Sequence, residues 1–115
     1  ATAIMRAEFS EDGATALGYL TREDFARFGA QKSDAEPVID ALRRIEGVRV
    51  ACMLREQEDC IRGSLRAKDD TDVSVIARTF GGGGHVAAAG FTLHCTLDEA
   101  VAQVRAALAE AVRAS

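Results

Sequence analysis

Apolar positions recur along this chain in two periods, and the switches between them divide it into elements. Val48, Val50, Cys52 and Leu54 alternate, the period of two that a buried strand shows. After the charged turn Arg55-Glu56-Gln57-Glu58-Asp59 the alternation resumes, with Ile61, Gly63 and Leu65 on one face and Arg62, Ser64 and Arg66 on the other. One face of that strand is core and the other is polar. Val73, Ile76, Ala77 and Phe80 instead follow i, i+3, i+4, i+7, which predicts a helix from the Asp70-Thr71-Asp72 start to a C-cap glycine at Gly81. Val38, Ala41, Leu42 and Ile45 mark a second helical face, opened by the capping-box spacing of Ser33-Asp34-Ala35-Glu36, with Pro37 tolerated in the first turn and Gly47 closing it. Leu97, Val101, Val104, Leu108 and Val112 repeat at near-heptad spacing behind Thr96 and Glu99, an amphipathic helix packed on a sheet rather than a coiled coil.

Earlier in the chain, Ile4 to Phe9 and Thr15 to Leu20 are β-prone runs around Glu11-Asp12-Gly13, a hairpin signal. Thr21 then caps a helix, with Asp24 returning the capping bond and Leu20 stapled against Phe25, and that helix is expected to end at Gly29. Val86 to Ala89 reads as one more helical turn, followed at Gly90 by a short strand, Phe91 to Cys95. The sum is an α/β fold: a mixed sheet of about five strands flanked by helices, one domain over residues 1–115.

Between the helix at Val73 and the strand at Phe91 runs Phe80-Gly81-Gly82-Gly83-Gly84-His85-Val86-Ala87-Ala88-Ala89-Gly90. Glycine contributes no buried side chain and loses the most backbone entropy on folding. A glycine run therefore needs a reason other than stability. Without Cβ atoms the backbone can approach a ligand closely, reach φ > 0 and turn successive N–H groups toward an anion. The run reads as a phosphate or nucleotide cradle with His85 at its lip, able to donate to a phosphate or stack on a base. A flexible linker would be flanked by polar spacers, whereas apolar periodic segments abut both ends. Neither the Walker pattern nor the dinucleotide fingerprint fits, because no Gly-Lys-Ser/Thr follows and a helix rather than a strand precedes.

Composition narrows the picture. The chain is 48% apolar and 28% charged, with a formal charge of −4, which argues against a general nucleic-acid coat while leaving room for a local basic patch. No apolar run approaches membrane-spanning length and no signal peptide is seen; the cytoplasmic location expected for the protein rests on its cysteines, read as reduced thiols. Cys52, Cys60 and Cys95 lack the paired spacing of a zinc site and read as reduced thiols. No metal cluster is legible, because Asp69-Asp70-Thr71-Asp72 is better explained by helix capping than by an EF-hand loop. His94, on the polar face of a short strand, carries no assigned role, and no nucleophile–base pair is evident. Arg62 and Arg66 with Ser64 between them are equally a solvated face or a phosphate-binding surface, since the guanidinium fork matches phosphate oxygens. The first residue is not Met and the opening falls straight into a strand-like run, so the chain reads as a fragment or processed piece.

Arg55-Glu56-Gln57, then Ser64-Leu65-Arg66, then Gly81-Gly82-Gly83-Gly84-His85-x-x-Ala88-Ala89-Gly90, in that order and spacing, resemble the C-terminal DHH-associated domain of DHH-family phosphoesterases. The resemblance covers the whole chain, and its glycine-histidine-alanine motif is the specific part. It implies a longer enzyme of the oligoribonuclease, nucleoside 3′,5′-bisphosphate phosphatase or cyclic-dinucleotide phosphodiesterase type. There an N-terminal DHH domain of the same protein holds manganese, no cofactor belongs to the present chain, and the C-terminal domain grips short RNA or a small nucleotide across a cleft. A homodimer of the full-length protein is among the expectations. By match, Arg66, Gly81, Gly82, Gly83, Gly84 and His85 would hold phosphate or base, with Arg55 and Ser64 as supporting contacts. The chain departs from the family at Val86 after the histidine and Ala67 after the arginine, which weakens the case for gripping longer strands. A different class, a nucleic-acid-binding module of the alanyl-tRNA synthetase or single-strand exonuclease type, would need an extended basic track that the net charge disfavours.

Overall fold

The computed structural model describes residues 6–28 and 35–114. Strand β1 (Glu8–Phe9) pairs antiparallel with β2 (Thr15–Leu20), as the hairpin signal predicts. The turn is closed by Asp12, whose carboxylate accepts from Ser10 Oγ at 2.7 Å and from the Ala14 N–H at 3.0 Å, and by Gly13 at φ 75°. Residues 4 and 5 of the expected first strand, Gly29 and the Ser33-Asp34 cap lie outside the described residues. Helix α1 (Arg22–Phe28) opens with the expected reciprocal pair: Thr21 N–H donates to Asp24 Oδ2 at 2.8 Å and Asp24 N–H to Thr21 Oγ1 at 3.1 Å. Asp24 is buried and also ion-pairs with Arg6.

Helix α2 (Ala35–Arg43) completes a crossover long enough to bring β3 (Val50–Glu56) parallel to β2. A tight return, in which Gln57 N–H donates to Cys60 O at 2.8 Å, sets β4 (Ile61–Ala67) antiparallel to β3. Helix α3 (Val73–Thr79), the short strand β5 (Gly83–Gly84), β6 (Ala88–Leu93) and helix α4 (Leu97–Ala114) follow. The described strands form one mixed sheet of six in the order β1-β2-β3-β4-β6-β5, one more than the pattern predicts because the glycine run itself supplies β5.

Period two gives the sheet two different faces. Leu17, Val50, Cys52, Leu54, Ile61, Leu65 and Phe91 point to one side, where α3 and α4 cover them with Val73, Ile76, Val101, Val104 and Leu108. Ala16, Leu20, Ala51 and Met53 point to the other, beneath Ile39 and Leu42 of α2. The apolar face expected for α2 is shifted: Ile39 is fully buried, while Ile45 is 39% exposed because the helix ends at Arg43, before it. Thr96 and Glu99 form the capping box at the start of α4, with Glu99 N–H donating to Thr96 Oγ1 at 3.1 Å and Thr96 N–H to Glu99 Oε1 at 3.1 Å.

The segment Val86 to Ala89 overturns the expectation of a helical turn. Ala88 and Ala89 begin β6, paired to Arg66 and Leu65 of β4, so the strand runs Ala88–Leu93 rather than Phe91 to Cys95. Alanine's helix preference amounts to about 0.5 kcal/mol per residue. A six-residue ladder to β4 that places Ala89 and Phe91 in the core outweighs it.

The three cysteines are unbridged. Cys52 is fully buried, and desolvation raises its thiol pKa far above the ordinary range. An alkylating reagent at neutral pH is expected to label Cys60 and Cys95 in the folded chain and Cys52 only on unfolding. Equal labelling of all three in the native state would contradict the placement of β3 at the sheet's centre.

Candidate functional site

The glycine run makes a tight joint between α3 and the sheet edge, and its glycines serve different ends. Gly81 lies just past the Phe80 C-cap with φ 80°. Its N–H donates to Arg78 O at 3.0 Å and the Gly82 N–H donates to Ala77 O at 2.8 Å, the Schellman pairing that satisfies carbonyls at a helix end. A Cβ on Gly82 would stand 2.1 Å from Gly90 O, and one on Gly84, whose φ is 148°, would stand 2.6 Å from Ala89 Cα. These three glycines are required by the backbone. Gly83 is not: its φ is ordinary and a Cβ there would meet nothing within 4 Å.

The hairpin from β5 to β6 is held at its tip. His85 N–H donates to Ala88 O at 2.8 Å and Ala88 N–H donates back at 3.2 Å. Val86 O accepts from Val73 N–H at 2.8 Å, at the first turn of α3, and Ala87 O accepts from Ala67 N–H at 2.9 Å, at the end of β4. From below, the Phe91 ring lies over Gly63, where a Cβ would come within 2.2 Å of it, and its centroid is 5.0 Å from that of Phe80. The helical turn expected over Val86 to Ala89 does not form, so no helix N-terminus adjoins the glycine run.

Sheet register then brings β4 beside this loop. Ser64 pairs with Gly90, Gly90 with Gly83, and Arg66 with Ala88. Ser64, Arg66, Gly83 and Gly84 therefore line one shallow groove of about 320 Å³, floored by Ala88, Ala89 and Gly90. The Arg66 guanidinium is anchored by Nη1, which donates to Leu65 O at 2.9 Å. Ala88 and Gly90 were missed as groove residues, though the alternation Ala88, Gly90, Thr92 would have shown them had the segment been read as a strand. Gly81 and Gly82 are outside the groove lining and serve as joints at the end of α3. His85 follows Gly84 at the turn, exposed, beyond the groove lining. Arg55 lies on β3 opposite Arg62 rather than opposite Ser64, outside the groove.

A larger hollow of about 740 Å³ lies between the Ser10–Thr15 turn and the end of α4, but its two arginines and Asp12 are already engaged. Arg49 pairs with Asp69 at 2.6 Å and Arg113 with Glu110 at 2.6 Å. The Ala14 N–H and the Ser10 hydroxyl lower the Asp12 pKa. No three His, Cys, Asp or Glu side chains gather as metal ligands among the described residues. The acidic run is occupied otherwise: burial pushes the Asp69 carboxyl up, but hydrogen bonds from Arg49 and Thr71 outweigh it and hold the pKa at about 2, and Asp72 caps α3 through the Ser74 N–H at 2.9 Å. No helix among the described residues is long and apolar enough to cross a membrane.

Comparison with known proteins meets this geometry. The bifunctional oligoribonuclease and PAP phosphatase NrnA of Thermus thermophilus is 33% identical over 94 residues, covering 81% of this chain and 29% of that protein. Its Bacillus subtilis namesake is 32% identical over 91 residues, covering 79% of this chain and 28% of that protein. The chain thus spans less than a third of these curated relatives' length. Among solved structures, an exopolyphosphatase-related protein from Bacteroides fragilis superposes with a TM-score of 0.87 at 31% identity, over 94% of this chain and 32% of that one. The C-Ala domain of Aquifex aeolicus alanyl-tRNA synthetase shares the fold, with a TM-score of 0.61 at 20% identity over 90% of this chain and 98% of that one. The DHHA1 domain model matches residues 16–114, from β2 through the glycine hairpin to the end of α4, and on that match the chain belongs to the DHHA1 domain family.

Proposed function

We propose that this chain is the substrate-holding domain of a longer DHH-family phosphoesterase, and that it grips a phosphate of a small nucleotide or short RNA strand in the groove at Ser64, Arg66, Gly83 and Gly84. The names of its relatives, oligoribonuclease and PAP phosphatase, supply the substrate class: short oligoribonucleotides or nucleoside 3′,5′-bisphosphates. Cyclic dinucleotides complete the range that the family resemblance implies. Gly83 carries the reading. It alone in the run has a glycine's bareness without a backbone need for it, and the space a Cβ would take opens into the groove. Arg66 offers a planar donor fork to phosphate oxygens, Ser64 a hydroxyl, and the bare backbone close approach. His85, exposed on a turn tied to β4 and α3, would face the bound nucleotide from the rim.

The manganese that the resemblance implies does not fit this chain's described residues, which gather no set of metal ligands. Its place in this reading is the N-terminal DHH domain, the partner that completes the enzyme. The isolated chain supplied with manganese is accordingly expected to hydrolyse neither short RNA nor a nucleoside bisphosphate. Turnover that follows the chain through purification would overturn that assignment.

Gly83→Ala tests the groove directly. The variant should fold and melt like the wild type, because the added methyl meets nothing in the free protein. Binding of a nucleoside 5′-monophosphate should weaken by about 1–3 kcal/mol, the usual cost of forcing a methyl into a filled site. Unchanged affinity by calorimetric titration, with an unchanged melting curve, would remove the groove from the binding site.

A further inference from the structure

The groove leaves Glu56 and Gln57 of the Arg55-Glu56-Gln57 motif unused, and both line a different hollow. The parallel pairing of β2 with β3 ends at Leu20 and Arg55, so α1, which leaves β2 at Thr21, starts beside the end of β3. Glu56 pins it there, its Oε1 accepting from the Arg22 N–H at 2.9 Å. The space between α1 and the end of β3 is about 460 Å³ and is lined by Arg22, Phe25, Ala26, Glu56 and Gln57, a size that suits a small organic ligand. Phe25 is half-buried and packs against the core beneath α2, which steadies its ring at the site. Glu56 is half-buried too, and among the described residues no ion pair neutralises its carboxylate. Gln57 Oε1 accepts from Cys60 Sγ at 3.5 Å, which leaves the carboxamide NH2 as a donor. The hollow thus offers an aromatic ring, a carboxylate that accepts and an amide that donates.

We propose that Phe25, Glu56 and Gln57 form a second ligand site, separate from the phosphate groove, for a planar heterocycle that carries an amino group beside a ring nitrogen and needs no phosphate. Adenine and cytosine have that edge. The heterocycle stacks on Phe25, its amino N–H donates to the Glu56 carboxylate, and the Gln57 NH2 donates to the ring nitrogen. Arg22, exposed at the same hollow, supplies a guanidinium plane for the outer face of the ring. The two sites are too far apart for one mononucleotide. Glu56 pairs with Ile61, and Arg66 lies further down β4, roughly 17 Å from Ile61 at about 3.4 Å per residue. The second site is therefore independent of the reading given to the groove.

Adenosine, which has the amino group and no phosphate, is the probe, titrated into the full 115-residue chain and followed by amide shifts and calorimetry. The amides of Phe25, Ala26 and Gln57 are expected to move while those of Arg66, Gly83 and Gly84 stay still. Purine riboside, which lacks the amino group, should bind about tenfold more weakly, as the loss of a hydrogen bond to a charged group implies. Glu56→Gln should weaken adenosine by a similar factor and leave the melting curve unchanged, because the carboxamide oxygen still accepts from the Arg22 N–H and only the oxygen offered to the ligand is lost. Phe25→Leu, which keeps the apolar volume but removes the ring, should weaken adenosine and purine riboside alike. Absence of adenosine binding would overturn the second site, as would shifts confined to Arg66 and the glycine hairpin. Equal affinity for adenosine and purine riboside, or a Glu56→Gln variant that binds adenosine as the wild type does, would overturn the recognition of the amino group by Glu56. None of these outcomes bears on phosphate binding in the groove, which Gly83→Ala tests separately.

Discussion

Arg66→Ala is expected to weaken binding of a nucleoside 5′-monophosphate by about 1.5–3 kcal/mol, the range for a hydrogen bond to a charged group. The size follows from position. Arg66 lies on the face of β4 that meets the glycine hairpin, next to the Ala88 end of β6, and its guanidinium is steadied by Leu65 O. An arginine held in place loses little rotamer freedom when a phosphate arrives, and its fork makes two parallel bonds. Arg66→Lys should therefore recover only part of the loss, because an ammonium keeps the charge but not the fork. The same titration followed by amide shifts should move Arg66 together with Gly83 and Gly84, which are distant in sequence and meet only through the ladder from β4 to β6 and β5. A silent Arg66 beside a responding hairpin would show that the two do not share a site.

Gly82→Ala should be the most damaging substitution in the glycine run, and damaging to the fold rather than to binding. Its Cβ would stand 2.1 Å from Gly90 O and 2.7 Å from Phe91 Cα. Both neighbours are backbone of β6, fixed by pairing to β4, so neither can yield as a flexible side chain would. Overpacking of this kind costs about 3 kcal/mol, which for a domain of this size lowers Tm by roughly 10–15 °C. Thermal denaturation followed by circular dichroism decides the matter. Gly83→Ala, one residue along, should melt within about a degree or two of the wild type, as surface changes usually do. Equal melting of the two variants would mean that Gly82 does not press against β6 and that the hairpin is built differently.

Much of the fold is legible in the sequence because it depends on residues within a few positions of one another. The reciprocal bonds of Thr21 with Asp24 and of Thr96 with Glu99, the Asp72 cap of α3 and the Gly81 joint each close a loop of three to five residues, so residue type and spacing suffice to predict them. The alternation in Ile61 to Arg66 likewise divides core from polar face without knowledge of any neighbouring strand.

Other features were decided by long-range pairing. Val86 to Ala89 has the composition of a helical turn, yet β4 offered Ala88 and Ala89 a ladder and a place in the core, and that burial exceeded the weak local preference. Whether Val38-Ala41-Leu42-Ile45 or a face shifted to include Ile39 would be buried depended on where α2 ended over the sheet. The glycines look alike in sequence. Only the approach of β6 separates Gly82 and Gly84, which the backbone requires, from Gly83, which it does not. The candidate site follows the same rule: the type of Ser64 and Arg66 can be read from the chain, but the register of β4 on β6 put those two in the groove and left Arg55 and Arg62 at a distance. Local sequence determines which way a side chain points from its own strand. Which strand lies beside it is set by apolar burial and backbone pairing summed over the whole sheet.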